Sequence, residues 1–448
     1  MTTFEGRCIG LEQEFFLVDT KGALSDRADD FLARCTELAR AAGRDPESFF
    51  PECARCMVEI NTPPAYSLAE LSREYLLNLD LAIAAARDLD LRLYPLATYP
   101  LKAEGSLRDE PRYDLQAQTV GRRRFENAGR CAGVHLHLEA ASGAVDPRVG
   151  VSYGAPRASR EGLVDLYNLA TALDPALISL GRSSPFHAGA ATGLAMRTAC
   201  YRGDPDLFPG GLYAELTLVG GLLPYPANVQ DLVEQQFTRY HSWLAAMDRA
   251  GVDQRLFFEN GGGLLRSSSW NPVRLNAHGT VELRGMDGNY PETVLAILAL
   301  VKAAADRVRR ENLKVVPDDD LRVFEVGDDV LHVPGFEYLS GDLFREAVSK
   351  GVESPAVAAY LDSVFEFAGG EAGGGEGFQA LKHAGGYRTT EAGILKSYPA
   401  DAGLIGERGL DLVLEACDEL EAQVSRLKRW VSPDMTAAGS PPCGGRGD

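Results

Sequence analysis

Three β-prone segments, far apart in the chain, place polar side chains at every second position. They are GLEQEF (10–15), GVHLHLE (133–139) and TVELR (280–284). Successive side chains of a strand point to opposite faces, so each segment has one polar and one apolar face. If one sheet contains all three, its polar surface gathers Glu12, Glu14, His135, His137, Glu139, Glu282 and Arg284. This collection of groups suits a hard divalent cation and a polyanionic ligand.

The charge balance narrows the classes of partner. The 448 residues carry a formal net charge of −19, which argues against non-specific binding to nucleic acid or to an anionic membrane. No apolar run reaches the roughly 18–20 residues of a membrane span. The N-terminus lacks a basic region followed by an apolar stretch, so no secretory signal is visible. We therefore expect a cytoplasmic protein whose partners are small molecules.

Strand-like and helical segments alternate without regular βαβ spacing, which favours an α+β fold with a largely antiparallel sheet. Ser67, followed by Glu70, is typical of a helix start. Strands are predicted at 6–19, 57–61, 91–97, 132–140 and within 273–285. Long helices are predicted at 27–42, 67–89, 160–181, 230–249, 292–311 and 409–431.

The composition changes after about residue 315. We assign 1–315 to a catalytic domain and 316–431 to a mostly helical extension packed on the same domain. The glycine-rich segment 369–377 predicts a flexible loop, and 432–448 predicts a disordered tail.

Glu12 and Glu14 are the strongest candidates for metal ligands. Two carboxylates on one strand face repel each other unless a cation or solvent separates them. The apolar residues that follow predict a buried strand, which favours the cation. Glu59 in MVEIN, with Asn61 on the same face, and Glu52 in the preceding loop are further candidates. Taken alone, Glu59 fits an exposed charge on an edge strand better than a metal ligand, and it becomes a candidate ligand together with Glu12 and Glu14.

The His-x-His motif has two interpretations. Two histidines on one strand face often indicate zinc. Here the many carboxylates favour magnesium or manganese, with His135 as a ligand and His137 as a contact to substrate or phosphate.

The third segment pairs Glu282 with Arg284. A guanidinium is a planar fork suited to a carboxylate or a phosphate. The pair fits a metal carboxylate beside a phosphate-binding arginine, although ordinary surface charge gives the same pattern. Arg274, on the preceding strand-like stretch, is a further candidate for this site.

One cysteine motif and the absence of two nucleotide-binding motifs also concern the function. Cys53-x-x-Cys56 is either half of a metal or redox site or a pair of buried thiols, and the lack of a second such motif favours buried thiols. Neither G-x-x-x-x-G-K-[ST] nor a G-x-G-x-x-G between strand and helix is present. A bound nucleotide would therefore be held mainly by metals and arginines.

Together these segments resemble the glutamate–cysteine ligase family, in particular its compact bacterial and plant-type branch with the related carboxylate–amine ligases. The similarity covers about residues 6–312. The matching pieces are GLEQEFFLVD (10–19), VEINTPP (58–64), AGVHLHLEA (132–140), SSPFHAGAATG (183–193) with Arg197 and Arg202, and WNPVRLNAHGTVELRGMDGN (270–289).

The resemblance implies a glutamine-synthetase-like fold, a curved and mostly antiparallel sheet that forms a funnel backed by helices. It implies ATP as co-substrate and Mg²⁺ or Mn²⁺ as cofactor. One metal group would be Glu12, His135 and Glu282, and another Glu14, Glu52 and Glu59. The catalytic candidates are Arg284, facing the transferred phosphoryl group, and Glu282. The substrate-binding candidates are Arg197, Arg202, Asn61, His137 and Arg274. Family members often have Asp where this chain has Asn271, so the amine pocket is expected to differ.

The reaction implied by the resemblance is ATP-dependent joining of the γ-carboxylate of glutamate to an amine through an acyl phosphate. Cysteine is the first candidate amine, and the product would be γ-glutamylcysteine, a precursor in glutathione biosynthesis. A different amine would leave the metal residues unchanged. A metal-dependent hydrolase that uses the His-x-His motif would also fit these residues, as would a non-catalytic nucleotide-binding protein. Whether the chain forms a homo-oligomer stays open.

Overall fold

A curved antiparallel sheet is the centre of the molecule. The computed structural model describes residues 7–146, 148–369, 377–400 and 406–430. The sheet has seven strands: β1 (Ile9–Asp19), β2 (Phe49–Pro51), β3 (Met57–Asn61), β4 (Leu91–Tyr94), β5 (Gly133–Glu139), β6 (Val273–Leu275) and β7 (Thr280–Asp287). Their order is β2-β3-β1-β5-β7-β6, and β4 pairs with the second half of β1. All of these pairings are antiparallel.

Helices cover the apolar face of this sheet. The longer ones are α1 (Ala28–Ala41), α2 (Leu68–Asp88), α3 (Pro111–Val120), α4 (Arg157–Gly181), α5 (Val229–Ala250), α6 (Pro291–Glu311), α7 (Pro355–Gly369), α8 (Thr390–Ser397) and α9 (Glu407–Trp430). Helix α2 packs against β1, β3 and β4, α4 packs against β6 and β7, and α6 packs against β5. The α+β class with a mostly antiparallel sheet is confirmed.

The alternation in the sequence explains which face is buried. Leu11, Phe15 and Leu17 on β1 are at most 1% exposed and belong to the main hydrophobic cluster, together with Val134 and Leu136 on β5. The intervening polar residues consequently point to the opposite face. Burial of the apolar face therefore sets the orientation of the polar residues on the other side.

The chain beyond residue 313 adds a second, smaller sheet before its helices. Strands β8 (Lys314–Asp318) and β10 (Val330–Pro334) are parallel, and β9 (Glu325–Val326) is antiparallel to β10. Apolar side chains on both sides of residue 315 share one hydrophobic cluster. We keep the division at 315 as a proposal. The predicted tail and residues 370–376 of the predicted glycine-rich loop lie outside the described residues.

One helix within the described ranges, α4, is long and apolar enough by length and composition alone to cross a membrane. Its most apolar window is 94% buried within the protein. It packs against the sheet strands β6 and β7. Its apolar composition is accounted for by this position in the core.

Candidate active site

The pairing of β1 with its neighbours collects the predicted polar residues on one face. Glu14 lies opposite Glu59, and Glu12 lies opposite Asn61, across the β1–β3 pair. On the other side of β1, Glu12 lies opposite His135. Directly opposed residues in antiparallel strands have neighbouring side chains. Three chain segments thus meet around Glu12.

The next strands extend this surface. His137 on β5 lies opposite Glu282 on β7, and Arg274 on β6 lies opposite Glu282 from the other side. The β5–β7 register shifts between Val134 and Leu136, so the irregularity falls at His135 between them. Irregularities of this kind re-aim side chains beside functional sites.

Three groups of acidic and imidazole side chains have ligand atoms within 4.8 Å of one another. They are Glu14, Glu52 and Glu59; Glu12, Glu59 and His135; and Glu12, His137 and Glu282. The first is the grouping that the resemblance implies. The resemblance implies a second group of Glu12, His135 and Glu282. In the structure His137, which we expected to contact substrate, is the histidine grouped with Glu12 and Glu282. His135 Nδ1 lies 3.0 Å from Glu12 and 3.9 Å from Glu282. The ligand roles themselves stay predictions.

Glu14, Glu52 and Glu59 bring three carboxyl groups close together in a buried place, which disfavours ionisation of Glu52 and Glu59. Burial, followed by repulsion from Glu14, raises the pKa of Glu52 to about 8. Burial, followed by repulsion from Glu12, Glu52 and Glu14, raises the pKa of Glu59 well above its ordinary value. Carboxylate oxygens crowded in this way are a donor set for Mg²⁺ or Mn²⁺, and a bound cation would offset the repulsion. The residues therefore fit a divalent metal.

The pKa values of the two histidines are shifted in opposite directions. Burial, with a further contribution from Arg284, lowers the pKa of His135, so its imidazole is neutral at pH 7. Burial would also lower the pKa of His137, but the negative charges of Glu282 and Glu12 outweigh it and raise that pKa. Burial would raise the pKa of Glu12, but hydrogen bonds with His135 and His137 outweigh it and lower that pKa.

Glu282 is fully buried and anchors two arginines. Its carboxylate accepts hydrogen bonds from Arg274 at 2.7 and 3.0 Å, from Arg284 at 2.5 Å and from Asn276 at 2.5 Å. Burial would raise the pKa of Glu282, but Arg274 and Arg284 outweigh it and hold that pKa well below its ordinary value. Most of the acceptor capacity of Glu282 is therefore used to orient the two guanidinium groups.

Arg197, which is 4% exposed, reaches the same surface from the short helix Met196–Tyr201. It donates to the carbonyl oxygen of Arg284 at 2.5 Å, and its Nη2 lies 3.2 Å from His135 Nε2. A β-carbon at Gly133 would overlap the Arg197 guanidinium, and the Gly133 N–H donates to Glu14 at 2.5 Å. Sequence reasoning missed Gly133. The available signal was a glycine at the first position of the His-x-His strand.

A small cavity lies beside these groups. Its lining includes Arg197, Arg284, Tyr201, Trp270 and Arg202. The Nε atoms of Arg197 and Arg284 are buried and have no hydrogen-bond partner among the described residues. Such donors suit an anionic ligand group.

The second predicted arginine differs from Arg197. Arg202 donates to both oxygens of buried Asp174, at 2.7 and 2.8 Å, so its charge is already paired. Arg197 therefore has a greater free capacity for an anion than Arg202 has.

Asn271 has a physical role that an aspartate could not fill in the same way. Its side-chain amide donates to the carbonyl oxygens of Leu218 and Gly221, at 3.0 and 2.8 Å. An ionised carboxylate has no hydrogen to donate. Asn271 thereby fixes the loop near Trp270, whose ring stacks on Tyr213 at 5.3 Å between centroids. The presence of Asn271 in place of the Asp that family members often have is thus associated with these two hydrogen bonds to the loop.

Cys53 and Cys56 are buried free thiols, as the lack of a second Cys-x-x-Cys motif predicted. Burial raises the pKa of Cys56 to about 12 and that of Cys53 well above its ordinary value. At neutral pH both sulfurs are protonated, whereas metal binding and redox attack require the thiolate.

Comparison with known proteins agrees with this arrangement. The family model described as "Glutamate-cysteine ligase family 2 (GCS2)" matches residues 8–333. The chain belongs to glutamate–cysteine ligase family 2. The match contains all the strands of the main sheet and ends within β10, so it includes every residue of the site described above.

The curated relatives in glutamate–cysteine ligase family 2 are similar over part of their length. The Rhodococcus jostii protein named "Putative glutamate--cysteine ligase 2-1" is 32% identical over 185 residues, 40% of this chain and 42% of that protein. The glutamate–cysteine ligase of Halobacterium salinarum is 25% identical over 295 residues, 65% of this chain and 67% of that protein. The chain thus spans less than half the length of the former.

Among solved structures, a bifunctional glutathione synthetase from Pasteurella multocida superposes with a TM-score of 0.52 at 15% identity. The superposition covers 93% of this chain and 52% of that protein. This likeness concerns the fold alone.

Proposed function

We propose that the protein is an ATP-dependent ligase that joins the γ-carboxylate of glutamate to an amine, with cysteine as the first candidate. Membership of glutamate–cysteine ligase family 2 supports the reaction class. ATP would be the co-substrate, Mg²⁺ or Mn²⁺ the cofactor, and the cytoplasm the location. The other partners would be small molecules only.

One observation carries this proposal. The three groups of acidic and imidazole side chains lie beside two buried guanidinium groups, those of Arg197 and Arg284, whose Nε donors have no partner among the described residues. The negative groups suit divalent cations and the guanidinium groups suit phosphate or carboxylate. A site for metal–nucleotide and a carboxylate substrate needs both kinds of charge side by side.

In the first step, an oxygen of the glutamate γ-carboxylate would attack the γ-phosphorus of ATP, and the bond from that phosphorus to ADP would break. The products of this step are γ-glutamyl phosphate and ADP. Arg284, held by Glu282 at 2.5 Å, would place its fixed fork against the charge on the transferring phosphoryl group. Divalent cations held by Glu14, Glu52, Glu59 and the groups around Glu12 would neutralise the phosphate oxygens.

In the second step, the amine nitrogen would attack the acyl carbon, the bond to phosphate would break, and the amine would lose a proton. Phosphate would leave beside Arg284. Arg197, with its free Nε, would hold an anionic group of the substrate. The cavity wall formed by Tyr201 and Trp270 would limit the size of the molecule bound there.

A panel of amines tests the proposal. ADP release is measured with ATP, Mg²⁺, glutamate and one amine at a time, cysteine included. We expect release that requires glutamate and Mg²⁺ and is greatest with one amine, with that amide as product. Release that is the same without glutamate would contradict a ligase. Hydrolytic activity without ATP would favour the metal-dependent hydrolase, and nucleotide binding without turnover would favour a non-catalytic protein.

A further inference from the structure

The helix Met196–Tyr201 is held at both ends by the C-terminal part of the chain. At its start, the N–H of Ala195 donates to the carbonyl oxygen of Val348 at 2.9 Å. At its end, the guanidinium of Arg202 lies 4.8 Å from the centroid of the Phe344 ring. Both C-terminal residues lie beyond residue 333, where the family match ends. The helix that carries Arg197 is therefore packed against a part of the chain outside that match.

Arg182 connects this contact to Glu391. Its Nη1 donates to the Val348 carbonyl at 2.5 Å, and its Nη2 donates to Gly193 at 2.9 Å and to Glu391 Oε1 at 2.9 Å. Its Nε donates to the other oxygen of Glu391. The carbonyl oxygen of Val348 thus accepts hydrogen bonds from both Arg182 and the N–H of Ala195. The ion pair and the start of the helix share an acceptor.

This network is buried and has little freedom. Arg182 is 4% exposed and Glu391 is 8% exposed. The N–H of Glu391 also donates to the carbonyl oxygen of Arg182 at 3.1 Å. A β-carbon at Gly351 would meet Cδ of Arg182 at 2.6 Å, so the aliphatic part of this side chain passes through space that only glycine leaves open. A bidentate ion pair that is buried in this way fixes the orientation of the Arg182 guanidinium.

We propose that Glu391 is a positioning residue for Arg197. Through Arg182 and Val348 it holds the start of the helix Met196–Tyr201, and so sets where the Arg197 guanidinium meets the substrate anion. The inference depends on the proposed function for the role of Arg197. It gives Val348 and Glu391, which lie beyond the part of the chain that the family model matches, a part in positioning the substrate anion.

The first test is a kinetic comparison of two Glu→Gln variants. Glu391→Gln keeps the shape of the side chain and removes its charge. Glu421→Gln is the matched control, because Glu421 pairs with Arg92 at 2.7 Å and ties α9 to β4 away from this network. We expect Glu391→Gln to raise the KM for glutamate at least about tenfold, while the KM for ATP and kcat stay near those of the control. Equal glutamate KM values in both variants would overturn the proposal.

The second test is a double-mutant cycle with Arg197→Lys. If Glu391 acts through Arg197, the effect of Glu391→Gln on the KM for glutamate should largely vanish in the Arg197→Lys background. A general loss of stability would instead lower the active fraction of enzyme and leave the KM values unchanged. Full additivity of the two substitutions would overturn the proposal.

Amide hydrogen exchange separates this inference from the proposed function, because it needs no turnover. We expect Glu391→Gln to increase exchange in residues 194–203 while β1 and β7 stay as in the wild type. Unchanged exchange at 194–203 would overturn the positioning role even in an active ligase. Absence of glutamate-dependent ADP release in the wild type would instead refute the proposed function. If Glu391→Gln does not fold, Glu391→Asp replaces it in all three tests, because it keeps the charge that pairs with Arg182 and shortens the side chain that reaches it.

Discussion

The guanidinium of Arg197 occupies the space that a β-carbon at residue 133 would fill. Gly133 begins β5, and its N–H donates to Glu14 on the neighbouring strand. A single glycine therefore lets an arginine approach the sheet from the far side of the site. Its own N–H orients one of the proposed metal ligands.

Replacing Gly133 with alanine should displace Arg197 without unfolding the protein. The added methyl group cannot coexist with the guanidinium in its present position, so the arginine must move. We expect kcat/KM for glutamate to fall by about 100-fold, since misplacement of about 1 Å has effects of that size. Gly162→Ala on α4, where an added β-carbon has no neighbour within 4 Å, is the control. Equal kinetics for the two variants would contradict the placement of Arg197.

Replacing Glu59 with glutamine should stabilise the metal-free protein while removing activity. The substitution replaces a buried carboxyl, whose ionisation beside Glu14 and Glu52 is unfavourable, with an amide that stays neutral at every pH. We expect a gain on the order of 1 kcal/mol in the free energy of unfolding, measured with urea in EDTA. Metal-dependent ADP release should be lost. A less stable variant that keeps full activity would show that these carboxylates do not form a metal site.

Metal binding should release protons near neutral pH. The pKa of Glu52 is raised to about 8 in the metal-free protein, so this carboxyl is largely protonated at pH 7 and must ionise to bind a cation. Affinity for Mg²⁺ should therefore rise as the pH increases toward 8. Calorimetric titration with Mn²⁺ in buffers of different ionisation enthalpy measures the protons released. Glu52→Gln should release fewer, and identical proton release in wild type and variant would contradict this assignment.

Replacing Asn271 with aspartate should destabilise the protein. A carboxylate cannot donate to the carbonyl oxygens of Leu218 and Gly221, and a buried charge would face two acceptors. We expect a loss of about 2 kcal/mol in the free energy of unfolding at pH 8, with a smaller loss at pH 5, where more of the carboxyl is protonated. Thermal unfolding at both pH values measures it. If the variant and the wild type differ in melting temperature by the same amount at both pH values, the role of the Asn271 amide is contradicted.

Replacing Arg284 with lysine should impair turnover more than substrate binding. Lysine keeps the charge but cannot reproduce the planar fork that donates to Glu282 at 2.5 Å and leaves Nε free. We expect kcat to fall by about 100-fold, with a smaller change in the KM for ATP. Stopped-flow measurement of the first turnover separates chemistry from product release. A kcat equal to that of the wild type would exclude Arg284 from the phosphoryl-transfer step.

Much of the fold could be predicted from local sequence. The alternation in β1 and β5 determined both their extent and their buried faces, and Ser67 accepts a hydrogen bond from the N–H of Glu70 at the start of α2 as its position indicated. The resemblance also implied the group Glu14, Glu52 and Glu59, which spacing alone does not indicate, and the structure brings these three side chains together.

Other parts of the site depended on contacts that no local pattern encodes. Glu282 accepts hydrogen bonds from Arg274 and Arg284. The contact with Arg274 requires the pairing of β6 with β7, which the local sequence does not show. Arg182 and Glu391 are 209 residues apart in the chain, so nothing in either segment indicates their pairing. Gly133 appeared to be an ordinary strand start because the arginine that needs its space comes from the helix Met196–Tyr201, far along the chain.

Anomalous diffraction from crystals soaked with Mn²⁺ and a non-hydrolysable ATP analogue would show whether the side chains of the proposed metal sites bind cations, since Mn²⁺ scatters anomalously and has the ligand preferences expected here. We expect one peak within bonding distance of Glu14, Glu52 and Glu59, and another within bonding distance of Glu12, Glu282 and one of the two histidines. A well-ordered nucleotide with no anomalous peak near these side chains would contradict this expectation.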